Sequence, residues 1–178
     1  SGKEKGLRIA QYTNVLVLTY DTFKADERHN VCYSKDHALL SVIYEDGTEE
    51  FVPEQYDNIR MSHVFPEPGR HVVKLRLSNA ATTLDNMFSI AYWAAEEYLT
   101  TADFSHTDLS RTTNMESMFQ NCKHLETCVF GEVNTPELKN IKNMFKYCSA
   151  LRSVDIASLQ TDKVTDMSSL FFNCSSLE

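Results

Sequence analysis

Asn114-Met115-Glu116-Ser117-Met118-Phe119, Asn140-Ile141-Lys142-Asn143-Met144-Phe145 and Asp166-Met167-Ser168-Ser169-Leu170-Phe171 are three copies of one motif, spaced 26 residues apart. The same step joins Leu125, Leu151 and Leu177, and also Cys122, Cys148 and Cys174. Phe104, Phe130 and Ile156 follow it as well, as do Ala102, Cys128 and Val154. So many positions in one register mark a repeat, in which each copy buries its apolar side against its neighbours.

Within a copy, Met115, Met118, Phe119 and Cys122 fall at i, i+3, i+4 and i+7, which predicts one face of a short helix. Thr113 and Glu116 fit a capping box, and Asn114, Asn140 and Asp166 fit helix caps. Leu125-x-x-Cys128-x-Phe130 and Leu151-x-x-Val154-x-Ile156 then follow L-x-x-L-x-L, ending in a short strand. An earlier, degenerate copy over 84–104 begins at Asn86-Met87-Phe88 and carries five extra residues around 90–94. An atypical terminal copy is expected to cap the stack, and Trp93 in the insertion reads as a core lid. The last copy stops at Leu177-Glu178 without a polar cap. The array is therefore expected to continue, or to pair end to end with another chain through that open repeat.

Residues 7–78 read as short strands. Val15-Leu16-Val17-Leu18 is a strand core, and segments 38–44 and 49–52 flank the turn Glu45-Asp46-Gly47-Thr48. From His71 to Leu77 the chain alternates, with Val73, Leu75 and Leu77 opposite Lys74 and Arg76. The expected fold class is therefore α+β. A small antiparallel β-sandwich over residues 1–80 is followed over residues 81–178 by a right-handed leucine-rich-repeat solenoid.

The run from Thr113-Asn114-Met115 through Asn121-Cys122-Lys123-His124-Leu125, with 165–177 close behind, resembles the BspA-like leucine-rich repeats of bacterial surface proteins. That resemblance implies adhesion, a cell-surface or extracellular location and no catalysis. Ser62 to Leu75, with Phe65 and Gly69, looks like the aromatic-to-glycine strand motif of PKD-like immunoglobulin-type domains. Asp46-Gly47-Thr48 echoes the same family's turn, although Val42 stands where its tryptophan would be. The resemblance implies a spacer or docking unit.

Net charge is −8, with 10 basic and 12 acidic residues before Ala81 and 7 and 13 from there on. Such a surface disfavours nucleic acid, whose binding depends on neutralising phosphates. No apolar run is long enough for a membrane span. The opening Ser1-Gly2-Lys3 reads as a cloning remnant ahead of a start from which a signal or lipid anchor has been removed.

Chemistry-bearing patterns are sparse. The five cysteines form no C-x-x-C pair, and the period-spaced ones read as buried apolar residues. His29, His37, His63, His71, His106 and His124 are scattered, although His63 and His71 can approach across a turn. No G-x-S-x-G, phosphate-cradling loop or paired carboxylates stand out, and Glu96-Glu97 reads as a solvated face. No catalytic residue, cofactor or metal is therefore expected.

A binding surface has more support. In the strands, the residues flanking the fourth position of L-x-x-L-x-L face outward: Thr101 and Asp103, Thr127 and Val129, Ser153 and Asp155. They form a shallow polar strip suited to a host or matrix protein, or to a glycan. The sequence reads as a non-enzymatic adhesion or protein-interaction module. The alternative is a glycan-binding accessory protein of a polysaccharide-uptake system, with Trp93, Tyr92 and Tyr98 as its aromatic cluster.

Overall fold

The computed structural model describes residues 14–91 and 98–178. The lid assigned to Trp93, the Tyr92 and Glu96-Glu97 readings and the Ser1-Gly2-Lys3 remnant fall outside the described residues.

Among the described residues, nine strands account for the regular structure: β1 (Val15–Thr22), β2 (Glu27–Ser34), β3 (Leu39–Ile43), β4 (Glu49–Phe51), β5 (Ile59–Phe65), β6 (Gly69–Leu77), β7 (Leu99–His106), β8 (Thr127–Val129) and β9 (Ser153–Val154). Seven form one mixed sheet in the order β4-β3-β6-β1-β7-β8-β9, and β2 and β5 make a separate antiparallel ribbon. Pairing is antiparallel from β4 as far as β7 and parallel from β7 to β9. The hairpin joins β3 to β4, with Ile43 opposite Glu49 and Gly47 at φ 83°. A positive φ at that turn position favours glycine, which has no Cβ.

This arrangement corrects the α+β expectation. Among the described residues the chain is all β, with no helix in any copy and no closure into a solenoid. The leucine-rich-repeat solenoid is overturned with it. The antiparallel strands of the first half and the parallel strands of the repeat share one sheet, because β1 lies between β6 and β7.

The helix fails for a backbone reason. Ser117, Asn143 and Ser169 have φ of 54°, 56° and 56°, and four residues later Asn121, Tyr147 and Asn173 have 65°, 63° and 57°. A right-handed helix needs φ near −63° throughout, so two left-handed residues per copy forbid it. Successive tight turns replace it, closed by Met118 N–H donating to Met115 O, Gln120 N–H to Ser117 O and Cys122 N–H to Phe119 O. Two consecutive four-residue turns also bring i, i+3, i+4 and i+7 to one side, so the apolar spacing survives without a helix.

The caps change role accordingly. Asn114, Asn140 and Asp166 each accept, through Oδ1, the N–H two residues on, at 2.9 Å in every case. Glu116 accepts from Asn140 Nδ2 at 3.3 Å and does not fold back on Thr113.

Alternate N–H groups tie the copies together. Met115, Ser117, Phe119 and Asn121 donate to Asn140, Lys142, Met144 and Lys146 of the next copy. Ile141, Asn143, Phe145 and Tyr147 donate in the same way to Asp166, Ser168, Leu170 and Phe172. Inside lies one core in which Leu16, Leu18 and Tyr20 of β1 join Val73 and Leu75 of β6 and the repeat's Phe104, Phe119 and Phe145. Cys122 Sγ donates to Phe88 O at 3.2 Å, Cys148 Sγ to Phe119 O at 3.1 Å and Cys174 Sγ to Phe145 O at 2.9 Å. Each thiol thus reaches back to the preceding copy, adding a weak bond to its apolar packing.

Candidate functional site

The six strip residues lie at neighbouring positions on the parallel end of the sheet. Thr101 pairs with Thr127, and Thr127 with Ser153. Asp103 pairs with Val129, and Asp155 follows β9. In-register parallel pairing puts these residues on one face, because alternate residues of a strand point the same way. Their intervening neighbours Ala102 and Cys128 are buried, whereas Val129 is 49% exposed and Ser153 and Asp155 are exposed.

The strip is longer than the repeat. On the other edge of β7, Thr101 faces Thr19 and Asp103 faces Val17 of β1. A row Thr19–Thr101–Thr127–Ser153 therefore crosses four strands with a hydroxyl at each step. The alternation in Val15-Leu16-Val17-Leu18-Thr19-Tyr20 sets Val17 and Thr19 opposite the buried Leu16 and Leu18. What the sequence does not carry is which strand β1 adjoins.

The two aspartates are partly engaged. Asp103 Oδ1 accepts from Ser105 N–H at 2.9 Å and from Ser105 Oγ at 2.6 Å, and Asp155 Oδ1 accepts from Ala157 N–H at 2.8 Å. Each carboxylate shapes the exit from its own strand, and neither uses Oδ2 in that bond. The strip offers hydroxyls, two turn-bound carboxylates and one exposed valine, a set suited to hydrogen bonding.

The histidines gather elsewhere. His63 and His71 both pack on Phe65, at ring distances of 4.9 and 4.4 Å, and His29 joins them at 5.7 Å. His71 Nδ1 lies 3.1 Å from Glu45 Oε2, and its Nε2 lies 2.8 Å from Glu67 O. His63 stacks on Tyr44 at 3.7 Å. His29 Nε2 is buried with no hydrogen-bond partner. Among the described residues, no group of three His, Cys, Asp or Glu side chains is placed to hold a metal ion. A cavity of about 230 Å³ beside β2 is lined by Glu27, His29, Tyr33, Arg60, Phe88 and Tyr98, among others.

Three of the buried thiols are disfavoured as thiolates. Burial pushes the Cys32 thiol up to about 12 and also raises Cys128 and Cys148. A thiol held in its protonated form is a poor nucleophile. No helix among the described residues is long and apolar enough to cross a membrane.

Residues 80–178 match a protein family described as Mycoplasma protein of unknown function, DUF285. No curated protein and no solved structure matches the chain.

Proposed function

This chain belongs to the DUF285 family, and we propose that it is a non-enzymatic interaction module, displayed at the cell surface and binding a host or matrix protein. The observation that supports this reading is the hydroxyl row Thr19–Thr101–Thr127–Ser153, held in register across four strands. A surface repeated at strand spacing lets a partner make the same contact several times, so weak individual bonds add up. The acidic excess of the second half favours a basic or polar partner and faster association at low salt.

The test uses the full chain against immobilised fibronectin, collagen and fibrinogen, compared with Thr127→Lys and Ser153→Lys. Binding to one of them that falls about tenfold or more in the variants, with melting unchanged, supports the strand face. No binding to any of the three, or binding that both variants leave intact, rejects it. Glycan binding is the second reading, favoured by a separate groove around Tyr147.

A further inference from the structure

Tyr147 occupies a backbone position that suits it poorly. It lies in the left-handed region at φ 63°, on the rung that the neighbouring copies fill with Asn121 at 65° and Asn173 at 57°. Asparagine visits this region readily, whereas a bulky aromatic residue is an outlier there. Backbone strain of this kind tends to persist at functional positions.

The ring stands in a groove that crosses three copies. Asn121 and Lys123, Tyr147 and Ser149, and Asn173 and Ser175 line an open space of about 340 Å³. That volume falls in the range of small-molecule sites. Two features hold the ring in place. Phe172 meets it edge-on, with centroids 5.6 Å apart and planes at 85°, and the Lys146 ammonium sits 5.4 Å from its centroid. Asn121 is fixed as well, because its Nδ2 donates to Ile90 O at 2.7 Å. The described residues that line it are amides, hydroxyls, one lysine and the tyrosine, a set suited to hydrogen bonding around an aromatic ring.

We propose that this groove binds the ring of a carbohydrate, with Tyr147 packing on its C–H face and the flanking amides and hydroxyls bonding its hydroxyl groups. A pyranose has one apolar face and a rim of donors and acceptors, which matches an aromatic ring between two asparagines and two serines. Pre-ordering of Tyr147 and Asn121 lowers the entropic cost of holding a small ligand. Lys123 and Lys146 place positive charge beside the site, so an acidic sugar gains from the same arrangement. The groove is distinct from the strand face and does not depend on it.

The experiment is a titration of the full ¹⁵N-labelled chain with methyl β-N-acetylglucosaminide, methyl β-galactoside and N-acetylneuraminic acid. At least one probe should give saturable amide shifts confined to residues 121–123, 147–149 and 173–175, with an apparent Kd on the order of 1 mM or tighter. Tyr147→Asn should weaken that binding about tenfold or more, while stability holds or rises because asparagine suits the backbone. Tyr147→Phe, which keeps the ring, should retain most of the binding. No saturable shift with any of the three probes overturns the proposal, as does binding that Tyr147→Asn leaves unchanged. Thr127→Lys and Ser153→Lys should leave sugar binding intact, so failure of the strand-face reading and failure of this one are separately visible.

Discussion

The rings of Phe119 and Phe145 lie 5.5 Å apart and 5° from parallel, one copy of the repeat resting on the next. Phe88 continues the stack on one side at 5.2 Å and Phe171 on the other at 5.7 Å. The 26-residue step therefore reports a physical contact.

Phe145 is fully buried with a ring on each face, whereas Phe171 is half-buried and stacked on one side. Truncating Phe145 to Ala should cost about 3–5 kcal/mol, the range for deleting a core aromatic. Phe171→Ala should cost less, about 1–2 kcal/mol, because less area is withdrawn from water. Urea unfolding of both variants measures the difference. Equal losses would show that the end copy is packed as tightly as the middle.

The left-handed rung gives a second test. Asn143 sits at φ 56°, where an alanine is strained, so Asn143→Ala should destabilise by about 1 kcal/mol. Ser117 occupies the same rung one copy earlier, at φ 54°. Ser117→Asn should stabilise by about 0.5 kcal/mol, as consensus replacements at compatible sites do. If the alanine variant proves neutral in denaturant melts, the turn geometry described for the repeat is wrong.

These residues also show what the sequence can carry. The register of Phe119, Phe145 and Phe171 is legible because identical side chains recur at a fixed step. The backbone between them is not, since Met115, Met118, Phe119 and Cys122 share one side in a helix and in two stacked turns alike. The informative signal was the polar residue at 117, 143 and 169, where Ser and Asn are weak helix formers and Asn tolerates positive φ. The placement of Thr101 and Thr127 side by side follows from the repeat. Thr19 beside Thr101 does not, because a pairing between residues 82 positions apart leaves no local pattern. The Tyr147 groove could have been suspected from the Asn, Tyr, Asn series at one rung.

Acid should weaken the fold in two stages. Burial lowers the pKa of His29, with a further lowering from His71 and an opposing pull from Glu27. Burial also lowers His63, against Asp46 and Glu50 and together with His71 and Arg28. A group whose folded pKa lies below its unfolded value of 6.5 lends its stability above that value and loses it as pH falls. The first loss should therefore appear as pH falls below about 6.5. Asp108 and Asp166, held low by hydrogen bonds from Ser110 and Ser168, add a second loss below about pH 4. His29→Phe removes the unpartnered nitrogen while keeping a ring between Phe65 and Tyr98, and it should flatten the first stage. Urea midpoints for the wild-type chain that stay constant from about pH 8 to pH 5 would contradict this.

The sheet itself makes the last prediction. β1 pairs with β6 from Val15↔Arg76 to Thr22↔Gly69, and its other edge pairs with β7 through Val17↔Asp103, Leu18↔Ala102 and Thr19↔Thr101. Asn14 reinforces the join, since its Nδ2 donates to Leu77 O at 3.0 Å and its Oδ1 accepts from Asp108 N–H at 2.8 Å. Cutting the chain after Ala80 would expose the β1 edge on one fragment and the β7 edge on the other. It would also divide a core in which Leu16 and Phe104 belong to one buried cluster. Neither fragment should then fold cooperatively alone, because unpaired strand edges and half a core leave backbone ordering uncompensated. Mixing the two fragments should restore a single thermal transition, read by circular dichroism. Two independently folded halves, with melts that sum to that of the intact chain, would show that the β1–β7 pairing is dispensable.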